Sequence, residues 1–230
     1  MTRSLPVNRI AERLNEIRQT LPATVRLIAV TKQVPVETMR LAYEAGLRDF
    51  AESRIQEAST KQAELQELTD ITWHFIGHLQ SNKAAIALQQ FQWIHSLDSL
   101  KLAQRLNLLA ADLAVKPQLC LQVKLLPDPN KYGWTVPELL ADLPALDECC
   151  NLEIVGLMTI PPYGLPEAET LDVFQRTRDL AEQIKQQSWA RIRMAELSMG
   201  MSDDYLLAVE AGSTMIRLGR TLFGDRAKAV

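Results

Sequence analysis

The sequence is poor in cysteine and in aromatic residues. Of its 230 residues, 3 are cysteine and 6% are aromatic. An odd number of cysteines, two of them adjacent at Cys149 and Cys150, argues against an ordinary disulfide framework. The third, Cys120, lies in an apolar run and is interpreted as a small buried hydrophobe. This cysteine usage is typical of a cytosolic protein.

A charge excess and long hydrophobic runs are also missing. The chain carries 25 Lys and Arg against 28 Asp and Glu, a net charge of −3. The negative field of a nucleic acid or a membrane surface would not attract such a chain as a whole. No apolar run approaches the roughly 20 residues that span a bilayer, and the start lacks the hydrophobic stretch of a signal peptide. We therefore expect a cytoplasmic protein that binds neither nucleic acid nor membrane and holds any anionic ligand locally.

Several familiar catalytic signatures do not occur. There is no Gly-x-Ser-x-Gly elbow, no Gly-x-Gly-x-x-Gly fingerprint, no P-loop and no Cys-x-x-Cys pair, which disfavours serine hydrolysis and nucleotide binding. His74 and His78 are four residues apart, but no cysteine or carboxylate cluster stands nearby in sequence to complete a metal site. We therefore favour hydrogen-bonded structural roles for His74, His78 and His95 over metal binding.

The sequence does show an alternation of short apolar runs and longer amphipathic ones, with 47% hydrophobic residues for a core. Runs rich in β-branched residues predict strands at 26–31, 49–51, 73–77, 93–96, 118–125, 153–158, 192–198 and 214–218. Helical spacing predicts helices at 9–20, 36–45, 54–68, 100–113, 136–146, 167–187 and 203–211. Asp98 and Ser202 stand where they would cap the helices that follow them.

Eight strands alternating with helices favour a (β/α)₈ TIM barrel over a doubly wound open sheet, although the same alternation permits the sheet. No linker or low-complexity tract divides the chain. We therefore predict one domain over residues 1–230, with an extra helix before the first strand. In either architecture the ligand site lies beyond the carboxyl ends of the strands.

Polar residues gather at those predicted strand ends. Lys32 follows an apolar strand whose burial would hold its stem at the barrel mouth, where a partly desolvated amine becomes a nucleophile for a carbonyl. Hydroxyls and a glycine at 198–202, together with the backbone near Gly219, resemble a phosphate-holding arrangement. Together these features suggest a phosphorylated aldehyde held as a Schiff base.

In these features the chain resembles the YggS/PROSC-type pyridoxal 5′-phosphate (PLP) homeostasis proteins. The resemblance covers nearly the whole chain and rests on LIAVTK at 27–32, WHFIGHLQSNK at 73–83, GLMT at 156–159, LSMGMSDDY at 197–205, GSTMIRLGR at 212–220 and FG at 223–224. It implies a single barrel like the N-terminal domain of alanine racemase. It also implies a protein without catalytic activity that holds PLP reversibly and helps to balance vitamin B6 and amino and keto acids.

The resemblance implies specific roles at two positions. Lys32 would form a Schiff base with C4′ of PLP, and Arg217 would donate a hydrogen bond to the pyridine nitrogen. A guanidinium keeps its protons, so that nitrogen would stay an unprotonated acceptor and the ring a weak electron sink. Broad carbanion chemistry is therefore disfavoured.

The other implied contacts surround these two. Those expected for the phosphate are Ser198, Met199, Gly219 and Arg220, and further cofactor contacts are expected from Ser53, His78 and Thr214. Two positions depart from the family. Ala51-Glu52-Ser53 replaces the common Gly-Glu-Asn, and Lys124 replaces a common asparagine, which changes the finer polar contacts of the pocket.

The alternative function is a PLP-dependent enzyme of the amino-acid racemase type. Racemases need a second, β-rich domain and a tyrosine from the partner subunit, and the eight predicted strands are all used by one barrel. We therefore expect a carrier of PLP whose partners are PLP itself and, among proteins, apo PLP enzymes or a regulatory protein. The sequence is compatible with a monomer.

Overall fold

The strands of the computed structural model, which describes residues 7–224, close into a barrel. All pairings are parallel, in the order β4-β3-β2-β1-β9-β8-β7-β5, and β4 pairs with β5 to complete the ring of eight. The short strand β6 pairs with β5 outside that ring. The strands are β1 Arg26–Val30, β2 Asp49–Glu52, β3 Thr72–Phe75, β4 Trp93–Leu97, β5 Gln118–Lys124, β6 Trp134–Thr135, β7 Glu153–Met158, β8 Ile192–Ser198 and β9 Met215–Leu218. The predicted barrel is confirmed, and the open sheet is excluded.

Helices cover the outside of the barrel. They are α1 Val7–Thr20, α2 Val36–Glu44, α3 Ile55–Glu64, α4 Ala84–Gln90, α5 Leu100–Leu109, α6 Val136–Asp147, α7 Glu167–Lys185, α8 Tyr205–Glu210 and α9 Arg220–Phe223. The helix predicted before the first strand is α1. The sequence analysis did not predict α4, α9 or β6, because seven, four and two residues are too few to establish a period.

The two predicted helix caps were wrong. Helix α5 is capped by Ser99, whose hydroxyl accepts a hydrogen bond from the Leu102 N–H at 3.4 Å. Asp98 instead binds His78. Helix α8 begins after Asp204, and the Ser202 hydroxyl faces the start of α9. Both side chains that the sequence suggested as caps therefore serve the carboxyl end of the barrel.

Two hydrophobic clusters form the core. The larger lies between the strands and the helices and includes the fully buried Phe50 and Phe75. The smaller fills the barrel interior with Ile28, Val30, Ala51, Trp93, Cys120, Val155, Met158 and Met215. Cys120 is fully buried, as predicted. None of the described helices has the length and apolar composition needed to cross a membrane.

Candidate functional site

Lys32, Ser53 and His78 lie on neighbouring loops at the barrel mouth. Each loop follows the carboxyl end of a strand, β1, β2 and β3 respectively, and parallel pairing brings those ends together. Lys32 and Ser53 are half-buried. Gly77 lets the last two loops approach, since a Cβ there would lie 2.1 Å from the Ser53 carbonyl oxygen. The structure thus brings these three predicted residues to one rim.

His78 is held by Asp98 and Tyr132, neither of which the sequence analysis placed at the site. Its Nδ1 lies 2.7 Å from Oδ2 of Asp98, and the Asp98 side chain is only 5% exposed. The ring of Tyr132 stacks on the imidazole with centroids 3.6 Å apart and planes 8° from parallel. Lys131 donates from the same loop to the carbonyls of Ile160 and Pro161. The loop after β5 therefore spans the rim from the β3 side to the β7 side.

A buried ion pair anchors the backbone just before Lys32. Lys61 on α3 donates from Nζ to the Thr31 carbonyl at 2.6 Å, to Glu52 at 2.8 Å and to Glu57 at 2.7 Å. The Thr31 hydroxyl donates to the same Glu52 oxygen at 2.7 Å. Glu52 is fully buried, its Oε2 has no hydrogen-bond partner among residues 7–224, and burial raises its pKa despite the adjacent lysine. This network connects the loops after β1 and β2.

Arg217 lies in the barrel interior on β9 and is 3% exposed. It donates from Nη1 to the Ser198 hydroxyl at 2.6 Å and from Nη2 to the Thr159 carbonyl at 3.1 Å. Burial lowers the pKa of Arg217 to about 10, so the guanidinium stays charged at neutral pH. The predicted residue is therefore a buried cation whose two hydrogen bonds to described residues go to neutral oxygens.

Two histidines continue from Ser198 across the interior. His95 lies with Nδ1 2.7 Å from the Ser198 hydroxyl and Nε2 2.9 Å from Nδ1 of His74, and Nε2 of His74 lies 2.9 Å from Asp49. Both rings are fully buried, and that burial lowers the pKa of each histidine. Both are hydrogen-bonded interior residues, as the sequence analysis favoured, with every ring nitrogen occupied.

The structure separates the residues predicted to hold a phosphate. Ser198 is engaged inside the barrel, and Met199 is fully buried, with its N–H donating to the Met215 carbonyl at 3.1 Å. Ser202, the last residue of the 198–202 stretch that the sequence suggested for a phosphate, accepts hydrogen bonds at its hydroxyl from the N–H groups of Gly219 and Thr221, both at 3.3 Å. The polar groups that converge after β8 and β9 are therefore those of Ser202, Gly219 and Thr221.

Arg220 and Thr214 have other contacts. The exposed Arg220 side chain pairs with Asp203 at the edge of the same loop. Thr214 precedes β9, at the end of that strand opposite Gly219. Its hydroxyl donates to Glu196 at 2.6 Å and accepts from the Leu197 N–H at 2.8 Å. These bonds tie β8 to β9 and do not bring Thr214 to the mouth.

Comparison with known proteins first identifies the class of barrel. A family model described as the alanine racemase N-terminal domain matches residues 6–227. An alanine racemase of Clostridium difficile has the same fold, with a TM-score of 0.74 at 15% identity over 96% of this chain and 58% of its own. The molecule is a barrel of the alanine racemase N-terminal type.

Closer relatives identify the family. A pyridoxal phosphate homeostasis protein of Synechocystis sp. is 53% identical over 212 residues, covering 92% of this chain and 96% of its own. PipY of Synechococcus elongatus, solved without PLP, is 53% identical with a TM-score of 0.90. The structure of PipY with PLP bound has 52% identity and a TM-score of 0.89. Both PipY structures match 94% of this chain and 100% of their own chain. The chain belongs to the family of pyridoxal phosphate homeostasis proteins, as its motifs predicted.

Proposed function

We propose that this protein binds PLP at the barrel mouth and helps to keep PLP, and with it the amino and keto acid pools, in balance. The observation that carries the proposal is the PLP-bound structure of PipY, which is 52% identical and matches 94% of this chain with a TM-score of 0.89. In the present barrel, a lysine follows β1, a buried arginine lies near the end of β9, and backbone N–H donors follow β9.

The residues at the mouth and in the interior offer the chemical groups that PLP requires. When bound, PLP supplies an aldehyde to which an amine adds with loss of water, a ring nitrogen that accepts a hydrogen bond, and a phosphate dianion. Lys32 would provide the amine, and Arg217 would donate to the ring nitrogen. Ser53 and His78 follow the next two strands along the rim from Lys32, line one pocket together, and would contact the rest of the cofactor.

The phosphate would be held mainly by neutral groups. The N–H groups of Gly219 and Thr221 already converge on one oxygen, the Ser202 hydroxyl, at the start of α9. A phosphate oxygen is an acceptor of the same kind and carries more charge. We include the backbone of Arg220, which lies between these two residues, and assign Ser198 an indirect role through Arg217. Such a cradle needs no basic surface and is consistent with the net charge of −3.

Arg217 would limit the chemistry that bound PLP could support. Its guanidinium cannot give up a proton at neutral pH, so it can only donate to the ring nitrogen and would leave that nitrogen unprotonated. This arrangement withdraws few electrons from a bound amino acid. We infer that the protein stores and releases PLP without turning over substrates, and that residues 1–230 act as one PLP-binding domain.

The covalent assignment is tested with borohydride. Protein mixed with PLP should develop a visible absorption band, and reduction should fix the cofactor on the peptide that contains Lys32. The Lys32→Ala variant should lack both the band and the modified peptide, whereas Lys83→Ala, a change at another lysine near the rim, should keep them. A Lys32→Ala protein with the same band would contradict the assignment.

The homeostatic role is tested by transfer. Loaded protein should activate an apo PLP enzyme faster than PLP dissociates into solution in the absence of that enzyme. Incubation with L-alanine should yield no steady product. Sustained, Lys32-dependent product formation would replace the carrier with an enzyme of the racemase type.

A further inference from the structure

A continuous line of hydrogen bonds crosses the barrel interior and ends at Arg217. It runs through Asp49, His74, His95, Ser198 and Arg217, which we call the interior relay. Four bonds of 2.6 to 2.9 Å join these five residues. Asp49 is the first residue of β2, at the end of that strand opposite the mouth, and its side chain is 24% exposed. The relay thus connects the solvent-accessible base of the barrel with the buried guanidinium.

The two ends of the relay favour one direction for every hydrogen bond. A guanidinium can only donate and a carboxylate can only accept. Ser198 accepts from Arg217, so its own proton is available for Nδ1 of His95. His95 then carries its proton on Nε2 and donates to Nδ1 of His74, which in turn donates from Nε2 to Asp49. Each donor meets an acceptor, and both histidines are neutral Nε2–H tautomers.

The reverse arrangement is less favourable. If His95 donated to Ser198, His74 would have to donate from Nδ1 to His95. His74 could then keep its bond to Asp49 only as a fully buried imidazolium, or lose that bond as a neutral ring. The Ser198 proton would also lose its acceptor, since its hydroxyl has only His95 and Arg217 as partners within residues 7–224. Burial opposes the charged histidine, and the unused hydroxyl proton adds a further cost.

We propose that Asp49, His74 and His95 are positioning residues that hold Ser198 and Arg217 in one orientation and extend the negative charge of Asp49 to the buried guanidinium. The chemical consequence for PLP rests on the proposed contact between Arg217 and the ring nitrogen. Aligned hydrogen bonds polarise one another in a low-dielectric interior, so a carboxylate four bonds away can still influence the last donor. The relay also adds to the nearby charge of Asp204 in offsetting the cost of burying a cation whose hydrogen bonds within residues 7–224 go to neutral oxygens.

The first test needs neither PLP nor a variant. The sequence contains 3 histidines, so the ring nitrogens of the labelled protein give few NMR signals to assign. For His74 and His95 we expect the shifts of neutral rings protonated at Nε2, with Nδ1 unprotonated, at neutral pH. An Nδ1–H tautomer or an imidazolium at either residue would overturn the relay, whether or not the protein binds PLP.

The second test changes the charge at the far end. Asp49→Asn keeps the size of the side chain but removes the carboxylate, and we expect PLP to leave the loaded protein about fivefold faster, equivalent to about 1 kcal/mol. The visible band of the bound cofactor should also shift. Asp49→Glu should restore much of both properties. Asp70→Asn, which removes an exposed acid paired with Arg48 two residues before β3, should change neither.

The outcomes separate the relay from the proposed function. If the wild-type protein does not bind PLP, the proposed function fails, and the NMR experiment still tests the relay. If PLP binds but Asp49→Asn leaves the band and the release rate unchanged, the positioning role is wrong and the carrier assignment stands. A thermal unfolding curve for each variant distinguishes a local effect from a general loss of structure.

Discussion

Ser198 and Ser202 belong to the same short motif but face different parts of the molecule. Ser198 is the last residue of β8, and its hydroxyl points into the barrel toward Arg217. Ser202 lies in the loop that follows, where its hydroxyl meets two backbone N–H groups of the next loop. Sequence spacing marked both as polar residues near a strand end. Only the position of the strand boundary distinguishes an interior hydroxyl from one at the mouth.

We predict that Ser202→Ala weakens PLP binding about tenfold or more, the effect of losing one hydrogen bond from the Ser202 hydroxyl to the charged phosphate. Because the change acts on the phosphate, the affinity for pyridoxal, which lacks one, should be nearly unchanged. Titration with both compounds, monitored by absorbance, measures the ratio. Ser59→Ala, at a helical serine bonded to Ile55 and Gln90, is the matched control. An equal loss for both ligands would contradict a phosphate role.

At the scale of secondary-structure elements, α3 supports the loops on which Lys32 and Ser53 lie. It places Lys61 between Glu52 and Glu57 and against the Thr31 carbonyl. Burial alone would raise the pKa of Glu57, but its hydrogen bonds from Lys61 and the Gln33 N–H lower it. Periodicity predicted the helix but not this cluster, since a lysine in an amphipathic helix is usually interpreted as a solvated residue.

Lys61→Met should destabilise the fold by about 3–5 kcal/mol at neutral pH, because it leaves Glu52 buried without its cation. The double variant with Glu52→Gln should recover part of that loss, since the uncompensated charge is then gone. Chemical denaturation of both proteins gives the two free energies of unfolding. If the Lys61→Met variant has a free energy of unfolding at least as large as that of the double variant, Glu52 is not charged in the folded Lys61→Met protein.

At the scale of the whole molecule, the barrel buries neutral histidines alongside a charged arginine. His74 and His95 have an ordinary pKa of 6.5, and burial lowers the pKa of both in the folded protein. The imidazoles of His74 and His95 therefore bind a proton more tightly in the unfolded chain than in the folded protein. The contribution of these residues to stability is fully present above pH 6.5 and is lost as the pH falls from there toward the folded-state pKa values.

We predict that the free energy of unfolding decreases from neutral pH to about pH 5, with each histidine contributing up to about 1.4 kcal/mol per pH unit. The His95→Gln variant should be less stable at neutral pH but should show a flatter dependence. Denaturant titrations across this range provide both curves. Parallel curves for the two proteins would mean that His95 does not couple folding to protonation.

The sequence by itself predicted the alternation of strands and helices that favours the barrel, and its family motifs pointed to Lys32 and Arg217 as candidate cofactor contacts. These features depend on short-range periodicity and on motifs that lie within single loops. The tertiary structure alone decided which polar residues meet. His95 and Ser198 are 103 residues apart in the chain, and their hydrogen bond exists because barrel closure places β4 across from β8. No local pattern encodes such a contact, because its partners satisfy each other only after the sheet has closed.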